Sequence, residues 1–152
     1  MKIVIETPLD GEEDHLVVKC RNPDPVFLHA LAALHNGDNR LNAFVGNAIH
    51  RVDPADVLYI ESVDNKTFLY SAQDVYETKH KLYELEAMGM RDFIRISKSV
   101  ILNLSKIQSL VPSLSGRLET VLANGERVII SRRYVGALKQ HLGLQGGERH
   151  GP

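Results

Sequence analysis

The sequence predicts a mainly β protein, α+β overall, in which short antiparallel strands are combined with a few short helices. Two observations support this prediction. First, the turn pairs Gly46-Asn47 and Asn124-Gly125 each separate two apolar, strand-like segments, as in β-hairpins. Second, helical spacing of apolar residues is confined to three short segments of the chain. The chain has 152 residues, 43% of them hydrophobic, which suits one globular domain with a small additional lobe.

Residues 1–40 are predicted to form a small β-β-α lobe that serves dimerisation or partner binding. Residues 2–7 and 16–20 have the composition of strands and could form a hairpin. Asp24 is a candidate N-cap for a helix over residues 26–35. Two strands cannot bury the apolar stripe of this helix, so we expect the stripe to pack on the rest of the chain or on a second copy. The stripe consists of Phe27, Leu28, Leu31 and Leu34.

From residue 41 the pattern changes to strands. Strands are predicted at residues 41–46, 48–52, 57–62, 67–72 and 75–78. The run VLYI at 57–60 indicates a strand buried on both faces. The polar residues 63–66 are predicted to form the loop that follows this strand. A helix is predicted over residues 79–88, ending at Gly89, with one apolar face made of Leu82, Leu85 and Met88.

A second group of strands is predicted beyond residue 92. A strand over residues 93–96 is interrupted by the small polar residues at 97–99, and another strand follows over residues 107–111. The clearest local signal is a hairpin over residues 116–131. Its tip, Asn124-Gly125, is a preferred pair for a type I′ turn, in which both central residues need a positive φ.

The last predicted helix has an unusual first turn. Ser131 is the candidate N-cap, and Val135, Leu138 and Leu142 form the predicted buried stripe. Acidic residues are favoured in a first turn because the helix dipole is positive there, yet this helix begins with Arg132 and Arg133. Free backbone N–H groups together with two guanidinium groups form a strong phosphate site. The alternative is that both side chains simply extend into water.

Charge is distributed unevenly along the chain. Residues 95–141 contain eight Lys or Arg and two acidic residues, for a net charge of +6. Residues 1–94 contain nine Lys or Arg and sixteen acidic residues, for a net charge of −7. Such asymmetry indicates a polyanionic partner for the basic segment, although a solvated basic face without a partner is the alternative.

The composition argues against several classes of protein. The single cysteine cannot form an internal disulfide, no apolar run approaches the roughly 20 residues needed to span a bilayer, and the acidic N-terminus does not have the layout of a signal peptide. We therefore expect a cytoplasmic protein. The seven histidines are scattered and no phosphate-binding loop or cysteine cluster is present, so we expect neither an enzyme nor a cofactor or metal site.

Several blocks of sequence together resemble a known family. They are YIESVDNKTFLY, LYELE, FIRISKSVILNLSKIQSL, a hairpin with NGE at its tip, and VIISRRYVGALKQHL. In order and spacing, over about residues 41–142, these blocks resemble the LytTR DNA-binding domain of bacterial transcription regulators. The resemblance implies a DNA-binding domain over residues 41–143, built from elongated antiparallel β-sheets whose edge loops enter successive major grooves. Residues 144–152 are then expected to be a disordered tail.

The resemblance also implies where DNA binds. Three segments carry the contacts over by position: Asn65-Lys66-Thr67, Ser97-Lys98-Ser99 and Arg132-Arg133. Many relatives have His-Arg-Ser or His-Asn-Ser at the second segment, so Ser97 and Lys98 depart from the family pattern. Arg133 is the expected base reader, because arginine matches guanine O6 and N7. The expected phosphate contacts are Lys66, Arg95, Lys98, Arg132 and Lys139.

The resemblance implies the partners as well. Many family members carry a receiver domain, which residues 1–40 are too few to form, so we expect a stand-alone LytTR regulator. Such members often act with a small membrane protein, and two copies would suit direct-repeat sites as a homodimer on DNA. No small-molecule substrate is expected. The alternative function is a protein-interaction module of the same fold that binds a regulatory or membrane partner instead of DNA.

Overall fold

The computed structural model describes residues 4–36 and 39–144, with only the backbone described for residues 32–36. Within this part, antiparallel strands dominate, which confirms the predicted fold class. The helices are α1 (Pro25–Asn36), α2 (Leu82–Ala87) and α3 (Arg132–His141). The strands are β1 (Leu41–Val45), β2 (Ala48–Val52), β3 (Val57–Val63), β4 (Lys66–Ser71), β5 (Val75–Thr78), β6 (Phe93–Arg95), β7 (Val100–Asn103), β8 (Ile107–Pro112), β9 (Leu118–Leu122) and β10 (Arg127–Ile130).

The strands form two sheets. A seven-stranded sheet has the order β2-β1-β5-β4-β3-β7-β6, and a three-stranded sheet has the order β10-β9-β8. Every paired neighbour runs antiparallel. Because β3 lies inside the large sheet with a strand on each side, its side chains contribute to the packing on both faces, as its apolar sequence predicts.

Two hydrophobic clusters pack on opposite faces of the large sheet. Ile60 and Ile101 belong to the cluster that includes α2, whereas Leu58 and Leu102 belong to the cluster that includes the small sheet and α3. Neighbouring residues of β7 point to opposite faces, and in β3 a register shift between Val57 and Tyr59 interrupts the alternation, so both strands supply both clusters. The large sheet is therefore the central layer, with α2 on one side and the small sheet with α3 on the other.

Two of the hairpin tips have turn types that the sequence does not predict. At the β3–β4 tip, Asp64 and Asn65 both have positive φ (50° and 64°), so they form a tight two-residue turn instead of the predicted four-residue loop. At the β9–β10 tip, Gly125 has a φ of 88° while Asn124 does not have a positive φ, so the predicted type I′ turn is wrong. The Asn124 side chain instead accepts a hydrogen bond from the backbone N–H of Glu126 (3.1 Å).

The two strands predicted in the N-terminal lobe are absent from its described residues. Residues 4–24 form no strand and contain large apolar side chains that are mostly exposed, such as Ile5 and Leu16. A two-stranded hairpin is marginal without a third strand or a packed face, and no other strand of the described part pairs with this segment. Residues 1–3 and 145–152, including most of the predicted tail, lie outside the described residues.

Helix α1 forms as predicted but buries a different face. Asp24 Oδ1 accepts a hydrogen bond from the backbone N–H of Phe27 (2.7 Å), which confirms the N-cap. Phe27 and Leu28, assigned to the buried stripe, are 36% and 51% exposed. The half-buried side chains are those of Val26, His29, Ala30 and Leu31, and the side chain of Leu34 lies outside the described residues. The ring of His29 meets that of His80, next to α2, at 5.9 Å.

Helices α2 and α3 anchor on the core through single faces. In α2, which is shorter than predicted, Leu82 and Leu85 are buried. In α3, Leu138 is fully buried, whereas Leu142 is 37% exposed and therefore does not complete the predicted stripe. Ser131 occupies the N-cap position, but its side chain makes no capping hydrogen bond, contrary to the prediction.

Candidate nucleic-acid interface

Three segments that are far apart in sequence meet at one end of the large sheet. They are the β3–β4 turn with Lys66, the bend at residues 97–99 between β6 and β7, and the start of α3. The backbone N–H of Ser62 donates to the carbonyl of Ser99 (2.8 Å), which joins the end of β3 to the bend. The N–H of Ser131 donates to the carbonyl of Ile96 (3.0 Å), which joins the start of α3 to the same bend. We call this surface the basic end.

The width of the basic end follows from the strand order. The turn joins β4 to β3 and the bend joins β7 to β6, so their centres lie two strand spacings apart. Two spacings amount to about 10 Å. The turn and the bend are therefore neighbouring projections on one end of the large sheet.

The β3–β4 turn presents two of its three predicted contact residues. Asn65 and Lys66 are exposed, and Lys81 Nζ holds the Asn65 carbonyl at 3.0 Å. Thr67 is only 2% exposed and lies where β4 pairs with β5, opposite Thr78. The side chain of Thr67 is therefore not presented at the surface, although a DNA contact is predicted for this residue from the sequence. Asp64, at the same tip, is exposed and adds one negative charge to the basic end.

The bend presents Lys98 and keeps its serines closer to the protein. Lys98 is exposed, whereas Ser97 and Ser99 are half-buried. The Ser97 hydroxyl accepts a hydrogen bond from the N–H of Ser99 (3.2 Å), which tightens the bend. Arg95 does not extend towards solvent: its guanidinium bonds to Glu86 and to two carbonyls of the bend. These bonds hold Arg95 against the protein, whereas a phosphate contact is predicted for it from the sequence.

The start of α3 presents three arginines instead of the two predicted. Arg132 and Arg133 are exposed, and the first turn of the helix has no acidic residue. Arg117 lines an open depression together with Arg132 and Arg133, although its sequence position gives no indication of this. A Cβ on Gly116 would lie 3.1 Å from Cδ of Arg132, so the stem of that arginine lies against the glycine. Gly116 also has a φ of 76°, which favours glycine.

In the part of the chain that the structure describes, the cations of the basic end have no acidic partners. Within residues 4–36 and 39–144, no hydrogen bond or ion pair engages the side chains of Lys66, Lys98, Arg117, Arg132 and Arg133. By contrast, Arg127 on the small sheet pairs with Glu119 at 2.6 Å. Lys139 is half-buried and lies two helical turns beyond Arg132, about 10 Å further along the same side of α3.

The aromatic side chains of the large sheet serve packing. The rings of Tyr59 and Tyr70 stack on each other with centroids 4.5 Å apart. The Tyr59 hydroxyl donates to a carboxylate oxygen of Glu126 (2.9 Å), which connects the large sheet to the tip of the small one. Burial raises the pKa of Tyr59, and the hydrogen bond to Glu126 raises it further, so this hydroxyl keeps its proton well into the alkaline range.

Comparison with known proteins identifies the domain. Residues 47–143 match the family model described as the LytTr DNA-binding domain. The chain belongs to the LytTR family. The model therefore covers both sheets except β1, and it includes the turn, the bend and the start of α3.

Individual LytTR relatives agree with this assignment. The chain is 33% identical over 97 residues to the sensory transduction protein LytT of Enterococcus faecalis, which covers 63% of this chain and 40% of that protein. The chain thus spans less than half the length of that relative. It is 29% identical over 104 residues to an uncharacterized HTH-type transcriptional regulator of Staphylococcus aureus, covering 68% of this chain and 71% of that one.

A solved structure supports the fold. A LytTr DNA-binding domain from Bacillus cereus superimposes with a TM-score of 0.65 and 28% sequence identity, covering 68% of this chain and 96% of that one. In the described part of the present protein, strands lie between each α-helix and the next along the chain, so no two α-helices follow each other directly. No helix among them is long and apolar enough to cross a membrane, and they contain no group of His, Cys, Asp and Glu that could hold a metal ion.

Proposed function

We propose that this LytTR protein is a sequence-specific transcription regulator that places its basic end in successive major grooves of DNA. The observation that carries the proposal is the cluster of cations at one end of the large sheet, which backbone hydrogen bonds hold together and which have no side-chain partner among the described residues. A surface built for solvent alone does not require its cations to be free of acidic neighbours. A surface that binds phosphates gains from cations that are not paired, because a carboxylate paired with a cation would compete with the DNA backbone. The exposed Asp64 pairs with none of these cations within the described residues.

The residues of the basic end divide into two roles. Lys66, Lys98, Arg117 and Arg132 contact phosphates and set the orientation of the protein on the duplex, and Lys139 extends this line along α3. Arg133 reads a base edge, since its guanidinium can donate two parallel hydrogen bonds to guanine. Arg132 and Arg133 belong to the first turn of α3, where free backbone N–H groups favour a phosphate.

Salt dependence tests whether phosphates drive binding. Five phosphate contacts predict a slope of about −4 to −5 for log affinity against log salt concentration. The protein would first be used to select binding sites from random duplexes, and the affinity of one selected site would then be measured by fluorescence anisotropy. Arg127→Gln provides a matched control, because it removes one cation that already has an acidic partner. A flat salt response, or no binding to any duplex, would refute the proposal.

Other aspects remain part of the proposal. We expect a cytoplasmic, non-enzymatic regulator that binds DNA as a homodimer and acts with a small membrane protein. The exposed apolar side chains of the N-terminal lobe, among them Ile5, Leu16 and Phe27, favour an additional protein contact there. If the protein binds another protein instead of DNA, loss of that lobe would abolish its activity while changes at the basic end would not.

A further inference from the structure

All three nitrogens of the Arg95 guanidinium are bonded to groups of the protein itself. Its Nε donates to the carbonyl of Ser97 at 2.8 Å, and one terminal nitrogen donates to the carbonyl of Lys98. The other terminal nitrogen pairs with a carboxylate oxygen of Glu86 on α2. The side chain of Arg95 is 22% exposed, and that of Glu86 is 43% exposed. A single guanidinium thus connects α2 to two consecutive peptide groups of the bend.

These bonds fix the backbone on either side of Lys98. The carbonyls of Ser97 and Lys98 point towards Arg95, and the carbonyl of Ser99 accepts the N–H of Ser62. All three carbonyls of the bend are therefore satisfied from the protein side. The Lys98 side chain is exposed, and no hydrogen bond or ion pair within the described residues engages it. An unrestrained bend would present this lysine in many directions and would lose entropy on meeting DNA.

We propose that Arg95 and Glu86 form a clamp that positions Lys98 for DNA, and that Arg95 makes no phosphate contact of its own. This inference rests on the proposed function and assigns a role to the residue pair behind the bend. Two features require arginine at this position. Three acceptors lie in different directions around one group, and only a planar guanidinium presents donors to all three at once. Glu86 also neutralises Arg95, so the pair adds little net attraction for phosphates.

The variant Arg95→Lys distinguishes a clamp from a direct phosphate contact. Arg95→Lys keeps the positive charge but loses the planar fork of donors, whereas Arg95→Gln loses both. If Arg95 is a clamp, both variants should lose affinity for a selected duplex to a similar extent, within about twofold. If Arg95 contacts a phosphate, the Arg95→Lys variant should bind the duplex almost as tightly as the original protein. That second result would overturn the proposal.

Combining these changes with Lys98→Ala shows whether Arg95 acts through Lys98. If it does, Arg95→Gln should cost no further affinity in the Lys98→Ala background. The salt slope of the double variant should then fall by about one in total, the value for a single lost phosphate contact. Additive losses, with a slope reduced by about two, would refute the clamp. Arg127→Lys and Arg127→Gln are the matched controls, since Arg127 is also paired with a glutamate but lies away from the bend.

Amide hydrogen exchange tests the clamp without DNA. Arg95→Gln and Glu86→Gln should each speed exchange at the N–H groups of Ser62 and Ser99, while the N–H of Leu122 in the small sheet stays protected. Unchanged exchange at the bend would overturn the clamp. Faster exchange throughout would show general destabilisation and would equally count against a local clamp. If the protein binds no duplex, the proposed function fails, yet this measurement still decides whether the pair orders the bend.

Discussion

Replacing Arg133 with alanine should separate DNA recognition from stability. Arg133 is exposed in the first turn of α3, and it has no partner among the described residues. Loss of a bidentate base contact costs about 1–3 kcal/mol of specific binding, which is roughly a fivefold to 150-fold loss of affinity. Binding to random DNA should change much less, because only one of several cations is lost.

The same change should not lower the stability of the fold. A cation at a helix N-terminus opposes the dipole, and removing it gains up to about 1 kcal/mol at low salt. For a domain of this size, that gain raises the melting temperature by at most about 4–8 °C. Because the side chain is exposed and makes no hydrogen bond in the described part of the chain, nothing offsets this gain.

Two measurements on one preparation check both expectations. Thermal unfolding followed by circular dichroism gives the melting temperature, and fluorescence anisotropy gives the affinity for a selected site and for a scrambled one. Lys98→Ala is the comparison, since a phosphate contact should weaken binding to both duplexes by similar factors and reduce the salt slope by about one. If Arg133→Ala melts early and keeps its site preference, Arg133 is structural and the start of α3 does not read bases.

Four further predictions concern other parts of the chain. Leu138→Ala should lower the free energy of unfolding by about 2–5 kcal/mol in chemical denaturation, because its side chain is fully buried between α3 and the sheets. Asp64→Asn should tighten binding to selected and scrambled DNA alike in anisotropy titrations, since it removes the acid at the hairpin tip while keeping a residue that tolerates positive φ. Tyr59→Phe should lower the free energy of unfolding by about 1 kcal/mol at neutral pH, because the hydrogen bond to Glu126 is lost. The raised pKa of Tyr59 favours its protonated form in the fold, so the contribution of this hydroxyl to stability is complete below about pH 10 and declines as the pH rises further. Tyr59→Phe should lack this decline in chemical denaturation at increasing pH. A chain beginning at Arg40 should stay monomeric in light scattering, on and off DNA, if the N-terminal lobe mediates dimerisation; assembly identical to that of the full chain would refute this role.

Local sequence patterns predict where most elements lie but not how their ends are built. Asn124-Gly125 marks a hairpin tip correctly, yet Asn124 adopts no positive φ, and its side chain bonds to the next residues instead. Asp64-Asn65 forms the tight turn without any glycine to indicate it. Turn type depends on the register and twist of the flanking strands, which pairing across the sheet decides.

Side-chain exposure is equally a property of the assembled fold. Residues 16–20 have strand composition but pair with no other strand of the described part, so their propensity has no effect. Thr67 and Arg95 lie next to the basic end, but Thr67 is buried and Arg95 forms an ion pair with Glu86. Arg117 reaches the start of α3 only through the packing of the small sheet, which no local pattern encodes.

The bond between Ser131 N–H and the Ile96 carbonyl has a consequence for how DNA preference can change. Both its donor and its acceptor are main-chain groups, so almost any side chain at position 96 or 131 leaves the bond intact. Among the natural residues, only proline at position 131 would remove the donor. The residues that it brings together at positions 98, 132 and 133 can therefore be exchanged while the frame that holds them keeps its shape. Libraries that vary these three positions on a fixed scaffold would offer a practical route to regulators with new operators.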